Sequence, residues 1–267
     1  MRLILSQKNI GELAAGYIIN KINCAPDNRF VLGLPTGSTV LDMYSALVRA
    51  YRKGEVSFKN VITFNMDEYI GLPENDPQSY HTYMHQNLLD HIDIRPENAH
   101  ILNGNAADIG AECAAYERAI VQAGGVDLFV GGVGRNGHLA FNEPGTSFSS
   151  RTGRVALTPS TREANARFFD NDLSKVPTHA LSIGIGTLTD AREVFILVKG
   201  EKKAEAVRRL TEETPSENCP ITVLRRYPRA AVLADEEACS HLGAPLKAHF
   251  GRLRKEQPDK GYWEVAL

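Results

Sequence analysis

A membrane-crossing helix needs about 18 consecutive apolar residues or more, and this 267-residue chain has no such run. Its N-terminus carries too short an apolar stretch for a secretory signal, with Asn9 and Glu12 following at once. The four cysteines, Cys24, Cys113, Cys219 and Cys239, form no C-x-x-C pair, which speaks against a zinc knuckle or a disulfide framework and leaves them as free thiols. Neither sign of charge dominates: 30 Lys and Arg face 32 Asp and Glu, for a formal net charge of −2. Nothing therefore points to nucleic acid or an anionic membrane as partner, and any anion must be caught locally. Internal repeats, low-complexity tracts and linkers are also missing, so 1–267 is expected to be one cytoplasmic α/β domain.

What the chain does have is a glycine-rich stretch at 131–145, where Gly131, Gly132, Gly134, Gly137 and Gly145 surround His138 and Glu143. It follows a short apolar run at 126–130 that reads as a buried strand. In open α/β sheets, ligands bind where loops leave strand ends. His138 and Glu143 are off helical register, so they meet only if the loop folds back on itself. A glycine-rich turn with a surface histidine is the alternative.

Strand-like runs at 30–34, 61–66, 180–185, 194–198, 221–224 and 230–234 alternate with helical periodicities at 10–22, 40–48, 79–89 and 112–121. Such alternation implies a parallel sheet with right-handed crossovers. The turn after the first of these strands, Pro35-Thr36-Gly37-Ser38-Thr39, leads into a helix and can present backbone N–H groups to a phosphate. It carries neither the Gly-Lys-Ser/Thr of a Walker loop nor G-x-G-x-x-G, and a plain capped helix start is equally consistent. The strand at 61–66 delivers Asp67 and Glu68 to the same edge. His81 and His85, one helical turn apart, lack the Glu of H-E-x-x-H and an obvious third ligand, so no metal is expected. Residues 153–180, inserted between strands and carrying Arg162 and Arg167, have the size of a mobile lid. Lys202 and Lys203 fall in a first helical turn, where the dipole disfavours cations unless an anion sits there too. Side chains pointing into solvent are the alternative.

Together these residues describe a crevice for a phosphorylated small molecule undergoing proton transfer, with no activated serine, reactive-looking cysteine, metal set or dinucleotide fingerprint in competition.

The motifs Leu32-Gly33-Leu34-Pro35-Thr36-Gly37-Ser38-Thr39, Phe64-Asn65-Met66-Asp67-Glu68-Tyr69, Gly137-His138-Leu139-Ala140-Phe141-Asn142-Glu143-Pro144-Gly145 and Ser150-Arg151-Thr152 closely resemble those of the glucosamine-6-phosphate deaminase family, in order and up to about residue 240. The resemblance implies a Rossmann-like three-layer α/β/α sandwich and a cofactor-free aldose–ketose isomerisation of glucosamine 6-phosphate, with loss of ammonia, to fructose 6-phosphate. It also implies a hydrolase of N-acetylglucosamine catabolism and a possible homo-oligomer. By the same match, Asp67 is the base that moves a proton from C2 to C1, while His138 and Glu143 open the pyranose ring. Asn136 stands in that group where family members carry Asp or Asn, leaving one carboxylate fewer. Thr36, Gly37, Ser38, Thr39, Arg167 and Lys203 are expected to hold the phosphate. Some relatives are activated by N-acetylglucosamine 6-phosphate through cations just after Ser-Arg-Thr. Here Gly153 and Val155 occupy those places, so hyperbolic kinetics are expected. A 6-phosphogluconolactonase-like hydrolase, a non-catalytic sugar-phosphate sensor and an isomerase of a non-amino sugar phosphate are the other readings.

Overall fold

In the computed structural model, which describes residues 1–267, the first half of the chain runs β1 (Arg2–Ser6), α1 (Ile10–Cys24), β2 (Phe30–Leu34), α2 (Leu41–Arg52), β3 (Val61–Asn65), β4 (Asp67–Tyr69), α3 (Tyr80–Asn87), β5 (Ala99–His100), α4 (Ile109–Gln122) and β6 (Leu128–Gly131). The second half runs β7 (Gly153–Ala156), α5 (Pro159–Asn165), β8 (His179–Ser182), α6 (Ile185–Thr189), β9 (Glu193–Val198), α7 (Ala204–Glu212), β10 (Ala230–Asp235), α8 (Ala244–Glu256) and β11 (Tyr262–Ala266).

Eight strands form the central sheet in the order β11-β1-β10-β9-β6-β2-β3-β5. All neighbours are parallel except β11, which runs antiparallel to β1. Strand alternation sends successive side chains to opposite faces. Leu32, Leu34, Leu128, Val130, Phe195 and Leu197 join an apolar layer built on α1, α2 and α3. Val31, Phe129, Ile196, Val198 and Val232 join a second layer with α4, α6, α7 and α8. Parallel strands covered on both faces read as continuous apolar runs, which is why these strands are visible in the sequence. Each large aliphatic side chain so buried contributes about 1.5–3 kcal/mol.

Two expectations need correction. Residues 221–224 are not a strand: they lie in a 3₁₀ stretch, Pro220–Arg226, whose proline at the start suits a helical turn. A short buried apolar run is ambiguous between the two structures. The run at 180–185 splits. Its first part, β8, pairs antiparallel with β4 and β7 in a separate three-stranded sheet, and its last residue opens α6. The C-terminal tail adds β11, which caps the free edge of β1 and buries Trp263. The stretch expected as a lid leaves from β7 and returns into β8, which pair through Ala156 and His179, so its excursion spans 157–178.

Candidate active site

In the sheet, β2 and β6 are neighbours whose onward connections depart in opposite directions, β2 towards β3 and β6 towards β9. Such a switch point opens a crevice outside the carboxyl ends of the strands. The loops after β2 and β6 both emerge there.

The loop after β6 folds back as its residue pattern demands. Gly134 N–H donates to the His138 carbonyl at 2.9 Å, and His138 N–H donates to Asn136 Oδ1 at 3.2 Å. The imidazole lies flat against Gly134: a Cβ there would stand 2.2 Å from His138 Cε1, so only glycine allows this approach. Asn142, buried, anchors the far side of the turn by donating to the carbonyls of Leu139 at 2.9 Å and Ile183 at 2.8 Å. His138 Nδ1 stands 3.4 Å from Glu143 Oε2. Asn136 Nδ2 donates to the same oxygen at 2.6 Å, while the hydroxyls of Thr158, at 3.1 Å, and Thr161 donate to Oε1. Burial alone would raise the Glu143 carboxyl, but His138 first and then the Thr161 and Asn136 donors outweigh it and hold the carboxyl at about 2. Asn136, expected to belong to a ring-opening group, therefore ties Glu143 to the backbone of His138. Thr158 and Thr161, from the start of α5, were not foreseen. Their hydroxyls lie far along the chain from Glu143, and only the path of the 157–178 excursion as it leaves β7 brings them in.

Asp67 comes from a different loop. At Met66 the chain leaves the central sheet: its N–H donates to Leu34 O at 3.1 Å and its carbonyl accepts from Ile183 N–H at 2.8 Å, so Asp67 begins β4 in the small sheet. Its side chain is 8% exposed. Burial, with the Glu68 carboxylate second, pushes the Asp67 carboxyl up to about 8. Glu68 itself points away into structure, accepting the N–H groups of Tyr69 at 2.7 Å, Tyr80 at 3.0 Å and His81 at 2.8 Å, and so caps α3 with an anion. A patch of aromatic rings ties β4 to the β6 loop: Tyr69 packs on Tyr80, Phe141 and Phe169 at centroid distances of 4.8, 5.8 and 5.8 Å.

At the β2 end, Gly37 takes φ +100, a conformation glycine alone adopts freely, and Ser38–Val40 form one 3₁₀ turn before α2. The turn holding Thr36, Gly37, Ser38 and Thr39 is fixed from outside, because Tyr44 and Tyr83 donate to the carbonyls of Pro35 and Gly37, the latter at 2.8 Å. Lys203 ends the 3₁₀ turn after β9, immediately before α7. Burial, then the positive charges of Arg135 and Arg167, draws its ammonium down to about 8. The structure thus gathers Lys203 and Arg167 from separate elements and adds Arg135. That residue stands between Gly134 and Asn136 in the loop already singled out, so its position was visible and its neighbourhood was not.

His81 and His85 stack at 4.7 Å, with His85 bonded to Asp90 at 2.7 Å. No set of three His, Cys, Asp or Glu side chains is grouped to hold a metal. Against the expectation of no dinucleotide fingerprint, Gly132-Val133-Gly134-Arg135-Asn136-Gly137 spells G-x-G-x-x-G after a strand. Dinucleotide turns need a helix N-terminus behind those glycines, and here 138–145 contains only an isolated bridge between Leu139 and Asn142.

A family model described as glucosamine-6-phosphate isomerases/6-phosphogluconolactonase matches residues 6–233. The chain belongs to this family. Glucosamine-6-phosphate deaminase of Porphyromonas gingivalis is 53% identical over 260 residues, 96% of this chain and 99% of that protein. The Parabacteroides distasonis deaminase is 49% identical over 261 residues, 96% of this chain and 97% of that protein. These alignments carry the similarity past residue 240, into the tail where the motifs had faded. A solved monomeric glucosamine-6-phosphate deaminase superposes with a TM-score of 0.87 at 42% identity, over 90% of this chain and all of that one. The 6-phosphogluconolactonase from Trypanosoma cruzi has the same fold at a TM-score of 0.72, with 19% identity over 91% of this chain and 97% of its own. Within the family, then, the deaminase branch shares sequence with this chain and the lactonase neighbour shares architecture.

Proposed function

We propose that the chain is a glucosamine-6-phosphate deaminase, converting glucosamine 6-phosphate and water to fructose 6-phosphate and ammonia. The observation that carries the reading is the pair of opposed proton-handling groups: Asp67 on the β3 end, and His138 with Glu143 and Asn136 on the β6 loop. An aldose–ketose isomerisation that starts from a closed ring needs two such groups, one for oxygen and one for carbon.

Ring opening is assigned to His138, which takes the proton of the anomeric hydroxyl and returns one to the ring oxygen, with Glu143 balancing the imidazolium. Asp67, ionised, then removes the C2 proton of the open-chain aldehyde, whose amine is an ammonium; the electron pair forms the C1–C2 double bond, the C1 oxygen takes a proton from the ammonium, and a neutral enolamine results. Return of the proton to C1 leaves a C2 iminium. Water adds to C2, and the C2–N bond breaks to release ammonia and the ketose. No redox partner enters, because C1 is reduced at the expense of C2. The Thr36–Thr39 turn, Arg167 and Lys203 are assigned to the phosphate, which fits backbone donors and cations gathered at a strand-loop-helix junction.

The reaction consumes water and places the enzyme among hydrolases of amino-sugar breakdown. Its phosphorylated substrate and the lack of any helix long and apolar enough to cross a membrane support a cytoplasmic setting. The 157–178 excursion is assigned as the lid, because it carries Arg167 to the phosphate and Thr158 and Thr161 to Glu143. The similar monomeric deaminase supports a monomer as sufficient for activity. With Gly153 and Val155 in place of cations, hyperbolic kinetics without activation by N-acetylglucosamine 6-phosphate follow. The deciding experiment is ammonia release from glucosamine 6-phosphate beside hydrolysis of 6-phosphogluconolactone. Ammonia with little lactone hydrolysis is expected, and the reverse pattern overturns the assignment.

A further inference from the structure

Three cations converge at the phosphate end of the crevice, and each arrives by a separate route. Gly131, the last residue of β6, pairs with Ile196 of β9, two residues before that strand ends at Val198, so the loops that leave these neighbouring parallel strands emerge side by side. Arg135 lies four residues beyond the end of β6, and Lys203 five beyond the end of β9. Arg167 descends from the 157–178 excursion, stacked on the exposed Phe168 ring at 4.5 Å. Lys203 has only these two positive charges as electrostatic partners, and no carboxylate offsets them. Side-chain cations elsewhere in the chain are commonly paired, as Arg151 is with Glu117 and Asp190, and Arg208 with Glu205 and Glu212. A half-buried lysine beside two unpaired guanidinium groups is unfavourable until an anion of more than one negative charge arrives.

We propose that Arg135 is a third phosphate-binding cation, one that matches the dianionic form of a sugar phosphate and ties occupancy of the phosphate end to the loop that carries Asn136 and His138. The proposal rests on the sugar-phosphate reading of the crevice. A guanidinium offers two parallel donors to phosphate oxygens where the lysine offers a point charge. Because Asn136 is the next residue, and Gly134 on the other side donates to the His138 carbonyl, phosphate seated on Arg135 also steadies the ring-opening group.

The test compares the unaltered enzyme with Arg135→Gln and Arg135→Lys. Calorimetric binding of inorganic phosphate is expected to weaken about tenfold or more in Arg135→Gln, the range of one lost charge-assisted hydrogen bond. Arg135→Lys should fall between. With glucosamine 6-phosphate, KM should rise by a similar factor while kcat falls far less. Phosphate affinity equal in all three proteins overturns the proposal, as does a fall in kcat at unchanged KM, which would make Arg135 a loop support only. The phosphate measurement needs no turnover. Failure of the parent reading, seen as no ammonia from the unaltered enzyme, is therefore distinguishable from failure of this one.

Discussion

Asp67 and Glu143 are both carboxylates, 8% and 9% exposed, at the same edge of one sheet, and their proton affinities are driven in opposite directions. Burial raises both. The difference lies in donors. Four groups, Asn136, Thr158, Thr161 and His138, surround Glu143 and stabilise its charge. Around Asp67 the neighbours are the carboxylate of Glu68 and tyrosine hydroxyls whose own ionisation Asp67 opposes. One carboxylate is thereby kept as a fixed anion beside a histidine, and the other is left able to take up and return a proton near neutral pH.

Replacing Asp67, the proposed base, should have the largest effect. Asp67→Asn preserves shape and removes proton uptake, so ammonia release and solvent exchange of the C2 proton should both fall by about 10³-fold or more, with substrate affinity kept. Turnover and deuterium incorporation measure this, and near-normal ammonia release would break the comparison. His138→Gln comes next, at about 10²-fold. It should slow ring opening while affinity for an acyclic amino-alditol 6-phosphate stays nearly unchanged. Equal loss of acyclic binding and turnover would put both groups in one step.

The pH profile sharpens the contrast without mutation. Since Asp67 must be ionised to act and its carboxyl is pushed up to about 8, kcat/KM should fall about tenfold per unit below that point. Lys203, drawn down to about 8, loses its charge above it, so the profile should be a narrow bell. An acid limb near 4 would mean that burial does not raise the Asp67 carboxyl in the working enzyme.

The smallest effects are on stability. Asp67, raised from 3.8 to about 8, favours folding most below 3.8, and that contribution is lost as pH rises through about 8. Glu143, lowered from 4.5 to about 2, contributes above 4.5 and loses that contribution as pH falls towards 2. Urea midpoints across pH should show Asp67→Asn flattening the upper window and Glu143→Gln the lower. Thr161→Val, which strips one donor from Glu143, should cost about 1–2 kcal/mol and raise its carboxyl. Unchanged stability and acid sensitivity in Thr161→Val would show the hydroxyl to be idle.

The sequence by itself determined the strands β2, β3, β6, β9 and β10, the helices between them and the loops at their ends. Parallel strands buried on both faces and amphipathic helices are written in local periodicity. Asp67, His138, Glu143 and the 35–39 turn were legible because they sit at strand ends in short, chemically dense segments. What the tertiary structure alone decided depends on contacts between distant segments. β8 leaves the central sheet because β4 and β7 offer it antiparallel partners, and Pro220–Arg226 becomes helical beneath the active loop, where Ile221 N–H meets the Gly137 carbonyl at 2.8 Å. Thr158 and Thr161 reach Glu143 only through the path of the excursion as it leaves β7, and Arg135 becomes a neighbour of Lys203 only because β6 and β9 are adjacent. A proton affinity or an anion site is a sum over neighbours in space. A local pattern names the residue that carries the charge, while packing chooses what surrounds it.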